Sequence, residues 1–350
     1  MPSLFSWYRS LSPRARTALK FLSSAALSLL LLFLAFQGTD FSELSDALRN
    51  AEYGWMAGNL AVLMLSHLVR AWRWRYLLDP IKPNIGLRNL FSSVMVGYLM
   101  NGVLPRAGEI ARPYAIGKLE SVSKGAAFGT IVMERIIDVC SFLLIVLALP
   151  LLYEGPLRES FPWLEQAGTM AITLTGSLLV VLVVLMLRRD WTDRLLSALS
   201  RILPVRAEKS VIRVVHSFLD GFLFLKKPGA FFPIAVLSVL IWGLYALMIY
   251  LAFFAFGLQD ALGFKGAVVV LAISSIGVAI PTPGATGTYH VFASQTLIRL
   301  FAIDQAVALS FATVTHAVGL SGATLVGLSF FLKDHLSVSE VIGKTEGESS

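Results

Sequence analysis

The sequence predicts an all-α polytopic membrane protein with about six full transmembrane helices and two broken or re-entrant helical elements of opposite orientation. Hydrophobic residues make up 56% of the 350 residues and charged residues only 15%, which is too apolar for a soluble domain of this length. Several apolar runs are long enough to cross a bilayer as helices. Two others are interrupted by Pro and Gly, and irregular backbone within a membrane is tolerated only where protein or water surrounds it.

Six uninterrupted apolar runs are predicted to span the membrane, since a spanning helix needs roughly 20 residues. The first follows Arg9, Arg14 and Arg16, as the apolar part of a signal peptide would. No small-residue cleavage pattern follows it, so we expect a retained helix, with removal as the alternative. The six runs cover approximately 19–37, 53–70, 126–150, 168–187, 230–257 and 306–332.

Loop charges orient these spans, because cytoplasmic loops carry an excess of Lys and Arg. The acidic loops 38–52 and 151–167 are predicted to lie outside, and the basic loops 70–88 and 188–227 inside. Both termini are then cytoplasmic, and we expect the cytoplasmic membrane as location. Within the second basic loop, 191–227 is predicted to form an amphipathic helix on the membrane surface. The same bias accounts for the net charge of +7, so no nucleic-acid partner is expected.

The two interrupted runs, 87–104 and 265–303, are predicted to enter the membrane from opposite sides. The first has a basic flank at each end, which favours entering and leaving on the cytoplasmic side. The second follows an outer loop. Opposed elements of this kind are typical of inverted-repeat transporters, whose binding site lies near the midplane. Eight plain spans with proline kinks are the alternative.

The first break is the segment Asn101 to Arg112, in which Pro105 ends one helix and Gly108 permits a tight turn. We expect its charged side chains on a short non-helical segment, before a helix with Pro113 in its first turn. Guanidinium groups beside a helix N-terminus can hold a phosphate. A cytoplasmic loop in contact with lipid headgroups is the alternative. The charged residues concerned are Arg106, Glu109 and Arg112.

Three charged residues, Glu134, Arg135 and Asp138, lie near the middle of an otherwise apolar predicted helix. Each costs on the order of 2.5–3.5 kcal/mol to insert there, so each needs a partner. Glu134 and Asp138 are one turn apart and share a helix face. They are predicted to line a substrate or ion pathway, and a buried ion-pair network that only orients helices is the alternative.

The second break lies at 281–290, where Pro281, Pro283, Gly284 and Gly287 prevent a continuous helix. A new helix is expected near Tyr289, capped by Thr286 or Thr288. Its first turn contains His290, which is expected to be neutral there and could bind a headgroup or relay a proton. A satisfied core histidine is the alternative. The same two interpretations apply to His316 in the last span.

A basic and aromatic run follows His67 and contains Arg70 and Arg73, interleaved with Trp72 and Trp74. Such a run is mainly typical of an interfacial anchor. Arg70 and Arg73 are nevertheless candidates to reach inward.

No catalytic residue, metal site or cofactor is predicted. The single cysteine, Cys140, lies in an apolar segment and excludes a disulfide framework or a cysteine-based metal site. The sequence contains no Ser-His-Asp order, HExxH, P-loop or dinucleotide motif, and no soluble segment long enough for a catalytic domain. We therefore do not expect an enzyme.

Four motifs together resemble the flippase-like membrane domain of the lysylphosphatidylglycerol synthase family. The resemblance implies a single transmembrane domain over 1–335, followed by a disordered tail at 336–350. It also implies a role in moving lipids between leaflets, without the soluble aminoacyl-transferase domain of the full-length enzymes. The motifs are Arg70 to Leu78, Asn101 to Arg112, Glu134 to Asp138 and Pro281 to His290.

The chain departs from the family pattern at the second break, where Ala285 and His290 replace a Gly and a Glu. Loss of that carboxylate weakens the inference of a cationic lysyl headgroup. An anionic or zwitterionic headgroup fits Arg106, Arg112 and Arg135 at least as well.

The sequence therefore predicts a translocator that moves a phospholipid or a lipid-linked headgroup through a polar interior site. A membrane-embedded transferase acting on a lipid carrier, and an ion-coupled transporter of a small anion, are the alternatives. The expected partner is the lipid itself, and the expectation also admits a homo-oligomer and a separate lipid-synthesising enzyme. The candidate binding residues are Arg70, Arg73, Asn101, Arg106, Glu109, Arg112, Glu134, Arg135, Asp138, Pro283, Gly284, Gly287, His290 and His316.

Overall fold

The computed structural model describes residues 12–155, 157–188 and 205–337, and over these ranges its regular elements are all helices. The all-α class is thereby confirmed. The α-helices are α1 Pro13–Phe36, α2 Phe41–Arg49, α3 Gly54–Leu78, α4 Leu87–Val103, α5 Gly108–Glu120, α6 Lys124–Leu152, α7 Leu157–Ser160, α8 Leu164–Leu187, α9 Val205–Asp220, α10 Phe231–Ala255, α11 Gln259–Ala279, α12 Thr288–Phe301 and α13 Gln305–Lys333.

Five described helices are long and apolar enough to cross a membrane, namely α6, α8, α10, α11 and α13. A sixth span results if the bent pair α1 and α2, which meet at 93°, is counted as one. The helix α3 has 25 residues but carries three arginines in its second half. The chain is thus an all-helical polytopic membrane protein.

Helix boundaries extend several of the predicted runs. The predicted span 53–70 continues as α3 to Leu78, because the aromatic and basic residues that follow it are helical and mostly face inward. The run predicted at 265–303 begins earlier, at Gln259, with non-helical backbone at Gly263. The loop predicted at 38–52 contains α2, which Asp40 caps through a hydrogen bond from the Ser42 amide.

Both interrupted runs lie in helical hairpins. In the first hairpin α4 packs against α5, and in the second α11 packs against α12. The helices of the first approach so closely that a Cβ on Gly108 would lie 2.2 Å from the Gly97 carbonyl oxygen. In the second, a Cβ on Gly277 would lie 2.9 Å from the Thr288 carbonyl oxygen. Glycine is required at both positions because no side chain fits there.

The turns of the two hairpins contact each other. We call residues 101–108 the first tip and residues 279–287 the second tip. The Arg106 guanidinium donates a hydrogen bond to the Ala279 carbonyl at 3.3 Å. A Cβ on Gly284 would lie 3.8 Å from the Gly102 Cα. The first half and the second half of the chain therefore meet at their two breaks.

Two local expectations at the tips are wrong. Glu109 and Arg112 do not project from a non-helical segment, since α5 begins at Gly108 and Pro113 lies inside it. Neither Thr286 nor Thr288 caps α12, whose N-cap is Gly287. The Thr288 hydroxyl donates to the Ala285 carbonyl instead.

The segment predicted as a surface amphipathic helix is only partly described. Its portion at 191–204 lies outside the described residues, and α9 covers 205–220. Most of the predicted tail, 338–350, also lies outside them. Leu336 is buried beside Val96 and Ala115.

Candidate functional site

Six charged side chains from three helices form a cluster in the protein interior. Four are arginines and two are carboxylates, and all are within 4.0 Å of an oppositely charged partner. We call this the arginine–carboxylate cluster. Its members are Arg70 and Arg73 on α3, Arg112 on α5, and Glu134, Arg135 and Asp138 on α6.

Glu134 lies at the centre of the cluster and its side chain is fully buried. Arg112 donates two hydrogen bonds to the Glu134 carboxylate, from Nη1 to Oε1 at 2.9 Å and from Nη2 to Oε2 at 2.8 Å. Arg70 Nη1 and Arg135 Nη2 also donate to Oε1, at 2.6 and 2.7 Å. One carboxylate thus joins the first hairpin to α3 and α6.

Asp138 completes the connection to α3. It accepts hydrogen bonds from Arg73 Nη2 at 2.6 Å and from Arg70 Nη1 at 2.9 Å. Arg135 approaches it to 3.4 Å. Because Glu134 and Asp138 share a face of α6, the two arginines of α3 reach both of them.

The cluster has more positive than negative charge. Four guanidinium groups face two carboxylates, so its formal charge is +2. The side chains of Arg70, Arg73 and Arg112 are at most 8% exposed, whereas that of Arg135 is 46% exposed. The Nε atoms of the three buried arginines have no hydrogen-bond partner. An excess of buried positive charge with free donors suits an anionic group.

Neighbouring polar and aromatic side chains orient the cluster, and two of them, Ser238 and Tyr245, were not identified from the sequence. Arg70 Nη2 donates to the Tyr245 hydroxyl at 3.0 Å, and Arg73 Nη1 donates to the Ser238 hydroxyl at 2.9 Å. The Arg112 guanidinium lies 4.3 Å from the centre of the Trp74 ring. A signal for two of them existed, because Ser238 and Tyr245 are seven residues apart and so share a face of the apolar α10.

The prediction of an interfacial anchor at 70–76 is wrong for the residues of α3 that face inward. Arg73 and Trp74 are fully buried, and Arg70 is nearly so. Trp74 donates its indole N–H to the Thr130 hydroxyl at 2.8 Å. Trp72, at 46% exposure, keeps the surface position that an anchor requires. The buried residues Arg70, Arg73 and Trp74 and the exposed Trp72 therefore lie on different faces of α3.

The remaining predicted residues of the first hairpin lie at or near its tip, outside the cluster. The Asn101 side chain accepts a hydrogen bond from the Gly108 amide at 2.7 Å and so caps the start of α5. Arg106 is exposed and has a positive φ of 61°. Glu109 is half-buried on the first turn of α5. Arg112, one helical turn further on, is the residue of this break that enters the cluster.

The second tip brings the two candidate histidines together. The ring centroids of His290 and His316 are 4.8 Å apart. His316 Nε2 lies 2.8 Å from the Gly284 carbonyl oxygen, so this nitrogen carries the hydrogen and donates. Tyr289 stacks on His316 at 5.8 Å and its hydroxyl pairs with Thr315. These contacts join α12 and α13 to the turn.

Three of the turn residues singled out in the sequence shape the second tip without presenting a side-chain functional group. Gly284 and Gly287 have positive φ angles of 59° and 84°, which glycine adopts without strain. Pro283 begins a single turn of 3₁₀ helix, Pro283–Ala285. A Cβ on Gly287 would lie 2.6 Å from the Ser28 carbonyl oxygen of α1, so the turn packs directly against that helix.

Within the described ranges, no group of three or more His, Cys, Asp or Glu side chains could hold a metal ion. The described residues form helices of one membrane region, and no separate catalytic domain is evident among them. The molecule is therefore an integral, multi-pass membrane protein with a buried charged cluster and two helical hairpins.

The family follows from comparison with known sequences. The model of the lysylphosphatidylglycerol synthase transmembrane region matches residues 21–327. This chain belongs to that family, as the four motifs predicted. All candidate residues of both hairpins and of the cluster lie inside the matched range.

Three curated proteins show more distant similarity. A UPF0104 membrane protein of Methanothermobacter thermautotrophicus is 26% identical over 70% of this chain and 75% of its own length. A UPF0104 membrane protein of Methanocaldococcus jannaschii is 33% identical over 28% of this chain and 30% of its own length. A protein named glycosyltransferase AglD, from Haloferax volcanii, is 21% identical over 96% of this chain but only 58% of its own length. No solved structure matches the chain.

Proposed function

We propose that this protein is a lipid translocator. The headgroup of a phospholipid or lipid-linked molecule crosses through the polar interior beside the hairpins, while its hydrocarbon tails stay in the bilayer. The observation that carries the proposal is the arginine–carboxylate cluster, with its formal charge of +2 and three buried arginines in a chain that is 56% hydrophobic. Charged groups inside a membrane protein usually mark a substrate or ion pathway.

The exposure of the arginines suggests an order of contact. Arg135 is half-exposed at the edge of the cluster, and it is the arginine that an arriving phosphate meets first. Arg70, Arg73 and Arg112 lie deeper and hold the carboxylates. A phosphate bound at Arg135 competes with Glu134 and Asp138 for the same guanidinium donors, since both groups accept paired hydrogen bonds.

The proposed direction follows the loop charges. The first hairpin opens from the cytoplasmic side and the second from the outer side, with both termini in the cytoplasm and the protein in the cytoplasmic membrane. The contact between the tips then separates an inner from an outer half of the path, as in transporters built from inverted repeats. The +2 charge favours headgroups that contain phosphate.

Reconstitution tests the proposal. Purified protein in liposomes that contain a fluorescent phospholipid is expected to speed its appearance in the opposite leaflet, measured by quenching from outside. Arg135→Gln and Arg112→Gln are expected to slow it about tenfold or more, because each removes charge-assisted hydrogen bonds worth about 1.5–3 kcal/mol. Arg299→Gln is the control, since Arg299 is exposed and bonds Gln295 on its own helix. Equal rates for all four proteins would contradict the assignment.

A membrane-embedded transferase acting on a lipid carrier is the second candidate. It is favoured by the similarity to a protein named a glycosyltransferase, which extends over 96% of this chain. The cluster geometry speaks against Glu134 as its base, because both carboxylate oxygens accept hydrogen bonds from arginines. A transferase would form a new lipid product from a soluble sugar donor, and mass spectrometry of the lipids after incubation with nucleotide sugars detects it.

A further inference from the structure

The histidine pair at the second tip is a second polar site, separate from the arginine–carboxylate cluster. His290 is 4% exposed and its Nδ1 is buried without a hydrogen-bond partner. His316 holds the Gly284 carbonyl through Nε2. One imidazole thus fastens the tip to α13, while the other, 4.8 Å away, has an unused nitrogen.

From this geometry we infer that His290 and His316 form a proton-binding site that couples opening of the second tip to proton uptake. The inference rests on the proposed function, because the movement that the proton accompanies is the proposed transfer of lipid. Histidine suits this role, since its ordinary pKa lies close to physiological pH.

The chemical step is a simple protonation. In the closed arrangement a neutral His316 donates from Nε2 to the Gly284 carbonyl, and His290 is neutral. A proton from water on that side bonds to His290, whose two ring nitrogens are then both donors. The buried Nδ1 has no acceptor in the closed tip, and a buried cation without one is unfavourable. The tip separates from α13 until water or an anionic headgroup supplies the acceptor, and closing returns the proton to water.

The surroundings of the pair contain little charge that would oppose or replace this step. The ring nearest to His290 among the titratable side chains described around it is that of His316, with the two ring centroids 4.8 Å apart. On α12 the ring of Tyr289 contacts both imidazoles. In the first tip the Arg106 guanidinium bonds the Ala279 carbonyl of the second tip. The described part of α1 from Phe21 onward contains no titratable side chain.

The other helices packed against α12 and α13 also carry charged or titratable side chains. Arg299 and the neighbouring Glu159 lie at the opposite end of α12, near Ser160. Lys265 lies 12 residues before Gly277, about 18 Å along α11. Four helices pack against α13 from other sides. They carry His67 on α3, Tyr98 on α4, whose ring centroid lies 4.1 Å from that of His67, Tyr245 and Tyr250 on α10, and Glu43 and Asp46 on α2.

A pH gradient across the liposome membrane tests the inference. Acidifying the side of the second tip by one pH unit is expected to speed translocation by about three- to tenfold, because one titrating group changes its protonated fraction at most tenfold per unit. His316→Gln keeps an amide donor for the Gly284 carbonyl but cannot take a proton. In both His316→Gln and His290→Gln, the rate of translocation is expected not to change with the pH gradient. His335→Gln replaces an exposed histidine far from the pair and is expected to respond like the unaltered protein.

A second measurement keeps the two proposals distinguishable. Spin labels at Ala107→Cys and Thr286→Cys, in a Cys140→Ala background, report the distance between the tips by pulsed electron resonance. The distance is expected to widen between about pH 7.5 and about pH 4.5, and not to change when either His290→Gln or His316→Gln is added.

Each outcome decides one proposal. The proton-binding site is overturned if the translocation rate does not depend on the pH gradient. It is also overturned if the rate still depends on the gradient in both His290→Gln and His316→Gln. Either result is compatible with the proposed translocator function. If the protein translocates no lipid but its tips still separate on acidification, the proposed translocator function is contradicted. The proton-binding site is retained in that case. If the distance between the tips does not change with pH, the proton-binding site is overturned, whether or not lipid is translocated.

Discussion

Glu134 connects three helices through its carboxylate. Its two oxygens hold arginines from α3, α5 and α6, so a single carboxylate fixes how the first hairpin sits against the spanning helices. Removing one partner of a buried ion pair is costly because the other charges stay buried without compensation. The cost of removing Glu134 is larger still, since three guanidinium groups donate to its carboxylate.

Glu134→Gln is expected to lower the free energy of unfolding by about 3–5 kcal/mol, because it raises the formal charge of the buried cluster from +2 to +3. Denaturant titration of the purified protein in micelles measures the change. The double variant Glu134→Gln with Arg112→Gln restores +2 and is expected to recover part of the loss. If the double variant is less stable than the single one, charge balance is not what Glu134 supplies.

Single residues of the site were predictable from the sequence where their charge is unusual in a membrane-spanning helix. Glu134, Arg135 and Asp138 stood out because charges are rare in an apolar helix. Tyr245 and Ser238 did not, since hydroxyl groups are common in such helices. Which arginine meets which carboxylate was beyond the sequence, because the pairs join positions up to 68 residues apart.

The first hairpin is held at both ends. At its tip Asn101 caps α5, and at its base Glu120 accepts hydrogen bonds from Lys82 and Asn89. Burial alone raises the pKa of Glu120, but the hydrogen bonds from Lys82 and Asn89 outweigh it and leave the pKa below its ordinary value of 4.5. The ionised carboxylate therefore fastens the end of α5 to the turn after α3.

The stabilisation from Glu120 is expected to depend on pH. Its pKa is lowered in the folded protein, so the contribution is present above the ordinary value of 4.5 and is lost as the pH falls through the folded pKa. Glu120→Gln is expected to cost about 0.5–1 kcal/mol at neutral pH, a modest figure because Lys82 is 41% exposed. Denaturation midpoints at neutral and acidic pH test this. Glu109→Gln is the control, and an equal Glu120→Gln effect at both pH values would contradict the prediction.

Helical elements were predicted more reliably than their ends. The apolar run 87–104 became α4 with nearly the same bounds, since Pro105 lies directly beyond it. Pro113 was misleading, because proline fits a first turn but occurs here inside α5, where it removes one N–H donor. Burial of α5 against α4, through Gly97 and Gly108, outweighs that local cost.

For the whole molecule, the meeting of the two tips is the feature that decides how a path could open. The sequence indicated two opposed breaks from loop charge, but contact between residues some 180 positions apart depends on packing of the complete chain. Arg106 bridges to Ala279, and Leu320 of α13 lies beside both Gly102 and Gly284. A headgroup that passes between the hairpins has to separate these contacts.

A disulfide between the tips is therefore expected to stop translocation. In a Cys140→Ala background, Gly102→Cys and Gly284→Cys suit a disulfide, because a Cβ on residue 284 lies 3.8 Å from the Cα of residue 102. The positive φ at 284 adds about 1–2 kcal/mol of strain, which each single-cysteine protein controls for. Oxidation is expected to reduce the liposome translocation rate at least tenfold in the double variant alone, and reductant to restore it, because the locked tips leave no opening for a headgroup. Full activity in the oxidised, cross-linked protein would place the path elsewhere, on a surface that the two tips do not close.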